Sequence, residues 1–108
     1  MKDSASILPL NKATICGFKY TVDHPKIDDC VIVETGEHYF GYHDQRDRHI
    51  EVVCDVSLDE QMHTMWHEIM EAIIATHDID MNHQTLTTIS HELYRMHKDN
   101  RWVQFGIS

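Results

Sequence analysis

The hydrophobic pattern of this chain changes its period at Ser57, and this change restricts the folds that the chain can adopt. Before Ser57 the apolar residues form short runs that are β-branched or alternate with polar residues, which is typical of strands. After Ser57 they recur every three or four residues over two longer segments, which is typical of amphipathic helices. The pattern therefore predicts an α+β fold, with a small antiparallel sheet in the N-terminal half followed by a two-helix hairpin.

The expected strands are bounded by turn-forming residues. They cover residues 13–22, 30–35, 38–43 and 49–56. The last of these alternates most clearly between apolar and polar residues, so one of its faces should be buried. The apolar positions on that face are Ile50, Val52, Cys54 and Val56.

Local capping residues mark the start of both helices. Ser57, followed three residues later by Glu60, forms a capping box and predicts a first helix that runs to about Thr76. Asn82 is a candidate cap for a second helix that runs to about Lys98.

Length and composition predict a single domain at residues 13–108, preceded by a flexible arm at residues 1–12. The net charge of -9 argues against a nucleic-acid-binding surface, which needs clustered Lys and Arg. The N-terminus lacks a long apolar core, so we expect neither a signal peptide nor a membrane helix. The three cysteines include no CxxC pair, which favours free thiols in the cytoplasm over a disulfide scaffold.

One face of the first predicted helix carries candidate metal ligands. His67 and Glu71 are four residues apart, so on a helix they present an imidazole and a carboxylate to one point. Two ligands of one metal ion need this arrangement, because zinc–ligand bonds are about 2 Å long. His63 lies one turn earlier on the same side. From these residues alone, the alternative is a solvated polar ridge.

The segment departs from the common zinc-protease motif H-E-x-x-H in its last letter. In that motif both His bind zinc, and the Glu acts as general base on the metal-bound water. Here His67 and Glu68 match, whereas Glu71 replaces the second His. A carboxylate also binds zinc, but its charge would make the metal less Lewis acidic and would make manganese or iron more competitive.

Two short runs carry a family resemblance. They are His67–Ile73 (HEIMEAI) and Leu93–Asn100 (LYRMHKDN). Similar runs lie on the two helices of small zincin-like metallopeptidases encoded by phages and prophages, where the first helix reads H-E-x-x-H-A-I. The resemblance implies a minimal zincin-like fold over about residues 15–102, with His67 as the first metal ligand and Glu68 as the catalytic base. Glu71 takes the place of the family's second His ligand, a departure that implies either an altered metal preference or a derived member whose peptidase activity is lost or altered.

The resemblance also implies a third ligand from the second helix, usually an acidic residue. The early positions of that helix, 83–87, read HQTLT and contain no acid. In a tight antiparallel hairpin closed at residues 77–81, the level of the first two ligands corresponds to residues 87–92, which favours His91. The other options are His83, which is closer to the loop, Glu92 and His97.

The leading hypothesis is therefore a metal-binding zincin-like protein of phage or mobile-element origin, active in the host cytoplasm. Its cofactor would be zinc, or manganese or iron, and its substrate a peptide or protein whose bond is hydrolysed with Glu68 as general base. The alternative is a non-enzymatic acidic protein that binds or inhibits a host protein, with its Glu and Asp side chains facing a basic patch on that host protein. A homodimer formed through the methionine-rich helices is a third option.

Overall fold

The computed structural model describes residues 8–100, in which a four-stranded sheet precedes two helices, so the predicted α+β fold is confirmed. The strands are β1 (Lys12–Ile15), β2 (Phe18–Asp23), β3 (Gly41–Asp44) and β4 (His49–Val52). The helices are α1 (Leu58–His77) and α2 (His83–Asn100).

The sheet has the order β1-β2-β4-β3 and is mixed. The outer pairs β1–β2 and β3–β4 are antiparallel as expected, whereas the central pair β2–β4 is parallel. A parallel pair needs a crossover connection, which here is the long segment between β2 and β3 together with β3 itself. The first hairpin turns at Cys16 and Gly17, both with positive φ (54° and 81°), as a tight type I′ turn requires. In the strand order, β3 forms the edge of the sheet and lies against α1.

Residues 30–35 do not form the predicted strand. Within this segment only an isolated bridge joins Val31 to His38, and the Val33 side chain is 90% exposed. The Ile32 carbonyl accepts the amide hydrogens of Thr35 and Gly36, which closes a turn. The β-branched run favoured a strand by propensity, but the chain lies outside the sheet here and has no partner strand along its length.

Helix α1 begins and ends as its local chemistry dictates. Ser57 accepts the Glu60 amide hydrogen through its hydroxyl (3.1 Å), which confirms the predicted cap. The helix ends at Asp78, whose backbone is left-handed (φ 52°). On its face against the sheet Met65 is in the core and Met62 and Ile69 pack against it, whereas Leu58 in the first turn is 40% exposed. The buried residues of the helix are Gln61, Thr64, Met65, Glu68 and Ala72.

The hydrophobic core lies between the sheet and α1. Met65 and Ala72 pack against residues of the two central strands. Those strand residues are Tyr20, Val22, Ile50 and Val52. Leu8 also joins the core and is only 2% exposed, so the end of the predicted arm packs on the domain, while residues 1–7 lie outside the described residues.

Helix α2 is attached differently, because among the described helices and strands it packs against α1 alone. The Asn82 side chain accepts the Thr85 amide hydrogen (2.8 Å), which confirms the predicted cap. Its buried residues are Leu86, Ser90 and Tyr94. Within residues 8–100, neither helix is long and apolar enough to cross a membrane.

Candidate metal centre

His67 and Glu71 form the first half of the site, because α1 stacks them one turn apart. The His67 Nε2 atom lies 3.4 Å from the Glu71 Oε2 atom, and both side chains are partly buried. Two ligands of a tetrahedral zinc ion with bonds of about 2.1 Å stand about 3.4 Å apart. The pair predicted from the sequence is therefore spaced for a single metal ion.

His83, the first residue of α2, brings a third ligand atom to this pair. Its ring centroid lies 5.2 Å from that of His67, with the ring planes at 65°. The ligand atoms of His67, Glu71 and His83 all lie within 4.8 Å of one another. The His83 side chain is exposed. Two imidazoles and one carboxylate thus converge on one point.

The structure brings His83, and not His91, to the pair because of the path between the helices. Helix α1 continues past His67 as far as His77, about 15 Å at 1.5 Å per residue. Residues 78–82 return beside the last turns, where the Ile79 amide donates to the Ile74 carbonyl (2.9 Å). The start of α2 is therefore level with His67, whereas the tight hairpin assumed from the sequence would have placed His91 there.

The other sequence-derived options on α2 lie elsewhere. His91 meets His63, with 3.0 Å between its Nδ1 atom and the His63 Nε2 atom. Glu92 forms an exposed ion pair with Arg95 (3.6 Å). The His97 ring lies 5.9 Å from the Trp66 ring. None of these three side chains belongs to the group around His67.

The surroundings of His67 favour its neutral form. Burial lowers the pKa of this imidazole, Glu71 opposes the change, and His83 adds to it. Metal ions bind neutral imidazole through a ring nitrogen, so a lowered pKa reduces competition from protons.

Glu68 lies on the inner side of the same helix, where it is only 6% exposed. Burial raises the pKa of its carboxyl group to about 8, and the Glu71 carboxylate adds to the rise. A carboxyl group with a pKa near neutrality is suited to take up or release a proton in a reaction. The predicted catalytic base is therefore buried beside the candidate ligands, in the environment that such a role needs.

Gly41, at the start of the edge strand β3, makes room for Glu68. A Cβ atom at this position would lie 2.7 Å from the Glu68 Oε2 atom and would also collide with the Thr64 methyl group. The contact was missed from the sequence, although a glycine within a strand signals a close approach of backbone to another group.

A cleft of about 350 Å³ opens over these side chains. Helix α1 contributes His63, Thr64, His67 and Glu68, together with Glu60. One wall consists of residues 39–41, which lead into the edge strand, and the other of His83 and Thr87 from α2. Two of the candidate ligands, His67 and His83, thus border one open space with Glu68, between the sheet edge and the second helix.

Comparisons of the chain with protein-family models, with curated proteins and with solved structures find no match. The resemblance to zincin-like proteins, and the phage origin that it implies, therefore stay predictions from the two helix motifs.

Proposed function

We propose that this protein binds a divalent metal ion through His67, Glu71 and His83. The observation that carries the proposal is the convergence of their ligand atoms within 4.8 Å. Zinc is the first choice, since it accepts imidazole nitrogen and carboxylate oxygen at nearly equal bond lengths. Manganese and iron(II) are the alternatives, because two imidazoles with one carboxylate also suit non-haem iron.

The ligand set compensates for the altered motif. In H-E-x-x-H proteins with an acidic third ligand, two His and one carboxylate bind the metal. Here the carboxylate is Glu71 on α1 and the second imidazole is His83 on α2, so the two ligand types have exchanged helices. The total charge of the set is unchanged, which removes the loss of Lewis acidity expected from Glu71 alone.

We further propose that the bound metal serves hydrolysis of a peptide bond, with Glu68 as general base. The metal would polarise a bound water and the substrate carbonyl. Glu68 would accept a proton from the water as the water oxygen bonds to the carbonyl carbon, and would deliver that proton to the amide nitrogen as the C–N bond breaks. A nearby cation favours the ionised carboxylate, so metal binding would lower the pKa of Glu68 from about 8 and prepare it as a base.

The cleft offers a place for an extended peptide. Within residues 8–100, β3 pairs with β4 alone, so its other edge has no partner strand there. Peptides bind such edges by adding a strand. Because Gly41 lies on this edge and against Glu68, a peptide there would run past the proposed base.

The alternative, a protein that binds a host partner without catalysis, is favoured by a different region. Val31, Ile32 and Val33 expose apolar side chains on the loop before β3, with Glu34 and Glu37 beside them. Exposed apolar side chains rimmed by charge are typical of binding surfaces. The methionines are weaker support for a homodimer, because Met65 is buried in the core and so does not contribute to a surface. We place either activity in the cytoplasm, where Cys16, Cys30 and Cys54 would stay as the free thiols seen here.

The test of metal binding is a calorimetric zinc titration of the metal-stripped full chain. We expect His67→Ala and His83→Ala each to remove zinc binding at this site. His38 is an exposed loop residue, so His38→Ala is the control and should leave zinc binding intact. Zinc binding that survives both site substitutions contradicts the proposal. Glu68→Gln then separates chemistry from binding, since hydrolysis of a casein-type substrate should vanish while zinc stays bound.

A further inference from the structure

Two polar stripes face each other across the helix pair. On α1 the stripe is His63, His67 and Glu71, and on α2 it is His83, Thr87 and His91. Within each stripe the residues are four apart, so they lie on one helix face. The buried face of α2 is formed by Leu86, Ser90 and Tyr94, and His83 and His91 lie exposed beside it. Along this margin imidazoles of the two helices meet at two levels, His67 with His83 and His63 with His91.

The second level is the pair formed by His63 and His91. The His63 Nε2 atom lies 3.0 Å from the His91 Nδ1 atom, and the ring centroids are 4.6 Å apart. With metal–nitrogen bonds of about 2.0–2.1 Å, two nitrogens at this separation subtend about 95° at a metal ion. That angle is normal for coordination by adjacent ligands. In the metal-free pair the two nitrogens share one hydrogen bond, and a metal ion bound to both would replace that contact.

We propose that His63 and His91 bind a second divalent metal ion, of the imidazole-preferring class zinc, nickel or copper, that clips α2 to α1. Two imidazoles select these metals over calcium and magnesium, which prefer oxygen ligands. The site is separate from the one formed by His67, Glu71 and His83, and the inference does not require that site to be filled.

The neighbours of the pair orient it for this role. The Tyr94 ring stacks on His63 at 6.1 Å and 17°, and its hydroxyl donates to Asp59, which also accepts from Lys98. These contacts fix the His63 ring between the helices. His63 lines the cleft, so the remaining coordination positions are open to water.

Thr87 supplies a second indication of a bound group. It lies one turn from both His83 and His91, and its hydroxyl oxygen is buried without a hydrogen-bond partner among the described residues. A buried hydroxyl without a partner is costly and calls for an explanation, such as a bound ion or water. A water molecule on a metal at either His pair would give this hydroxyl a partner.

The way α2 is attached explains why a metal ion that joins it to α1 would stabilise the structure. Among the described elements this helix packs on α1 alone, whereas α1 also contacts three of the four strands. Elements with few partners open at low free energy. Metal ions that bridge α1 and α2 at two levels would bind only the closed arrangement and so stabilise it.

The test is zinc or nickel titration of the metal-stripped full chain by calorimetry and equilibrium dialysis. We expect two equivalents in the wild type, and one each in His91→Ala, His63→Ala and His67→Ala. His67→Ala combined with His91→Ala should bind none, and His38→Ala should keep two. His91 is exposed, so His91→Ala should retain the fold, which circular dichroism would check.

The loss of metal binding across the variants shows which of the two sites exists. One equivalent that His67→Ala removes and His91→Ala does not would leave only the metal centre proposed above. One equivalent that behaves in the opposite way would leave only the clip. Two equivalents that persist in His63→Ala and His91→Ala would also refute the clip.

A measurement on the wild-type chain guards against loss of folding in the variants. Substoichiometric Ni²⁺ should broaden the ring resonances of His63 and His91, and those of His38 should stay sharp. In His67→Ala, where only the site at His63 and His91 remains, amide hydrogen exchange should slow in α2 by about tenfold at a free metal concentration of about ten times the Kd of that site. Sharp His63 and His91 resonances at saturating nickel would refute the clip.

Discussion

Gln61 and Glu68 are both buried polar side chains on α1, two turns apart, and their surroundings differ completely. Gln61 is fully buried and accepts the Leu8 amide hydrogen (2.8 Å), while its amide group donates to the Cys54 and Val56 carbonyls (3.3 and 3.0 Å). Glu68 is pressed against the edge strand at Gly41, and its pKa is raised to about 8. A buried amide that satisfies three backbone groups stabilises the fold, whereas a buried carboxyl group that resists ionisation weakens it.

This contrast matches the difference expected between a structural residue, Gln61, and the general base proposed at Glu68. Active sites retain groups that lower stability, and substituting such groups often stabilises a protein at the expense of activity. Substitutions at the two positions should therefore have opposite signs, and the predictions below test that difference from the largest effect to the smallest.

Gln61→Ala should destabilise the protein by about 3–5 kcal/mol, the range for a buried hydrogen-bond network lost together with a cavity. The Leu8 amide and the carbonyls of Cys54 and Val56 would lose their partners without gaining water. Urea denaturation followed by circular dichroism measures the change. A decrease of less than about 1 kcal/mol in the free energy of unfolding would mean that water replaces the side chain and that the Gln61 hydrogen bonds contribute little to stability.

Glu68→Gln should act in the opposite direction in metal-free protein at alkaline pH. Because the folded-state pKa is raised from 4.5 to about 8, the folded form holds a proton that the unfolded form releases between these values. Wild-type stability should therefore fall as the pH rises from about 4.5 to 8 and level off above. Glu68→Gln should remove this slope and be more stable than the wild type by about 3–5 kcal/mol at pH 9, since the pKa rises by about 3.5 units and each unit corresponds to about 1.4 kcal/mol.

Denaturation curves from pH 4 to 9 in the presence of a chelator would measure this effect. Glu92→Gln, which changes an exposed carboxylate on α2, is the matched control and should keep the wild-type slope. If Glu68→Gln and the wild type show the same pH dependence, then Glu68 is ionised without cost and the contrast with Gln61 fails.

Gly41→Ala tests whether Glu68 is confined by the edge strand. The added methyl group would lie 2.7 Å from Glu68 Oε2, so the strand or the carboxyl group must move. We expect a loss of about 1–3 kcal/mol, as for other overpacked positions. In a double-mutant cycle with Glu68→Ala the cost should shrink, although contact with Thr64 would retain part of it. Equal costs in both backgrounds would show that Glu68 does not limit the space at Gly41.

How far the sequence reveals such a site depends on the range of the interactions that form it. Caps at Ser57 and Asn82 are contacts within one turn, and both were predicted correctly. The pair His67 and Glu71 follows from helical periodicity alone. The choice between His83 and His91 depends on a loop path, and the sequence holds no local signal for it.

Long-range contacts explain the remaining errors in the same way. Residues 30–35 have the composition of a strand, but a strand needs a neighbour, and the parallel pairing of β2 with β4 leaves this segment outside the sheet. The burial of Gln61 and Glu68 also depends on partners far along the chain, Leu8 and Gly41. Helical periodicity alone does not reveal that these two polar side chains are buried, since it assigns polar residues to the exposed face.

Glu71→Gln is the smallest expected effect and distinguishes the two causes of the raised Glu68 pKa. Burial is the larger cause and the Glu71 charge the smaller, so removing that charge should lower the Glu68 pKa only in part. In metal-free protein the midpoint of the Glu68 titration, followed by carbon NMR of its carboxyl group, should shift down by a fraction of a pH unit. Glu92→Gln should leave the midpoint in place. A shift that returns Glu68 close to 4.5 would make repulsion between two carboxylates the dominant cause. The Glu68 site would then be tuned by charge, and a metal ion bound at Glu71 would control its protonation directly.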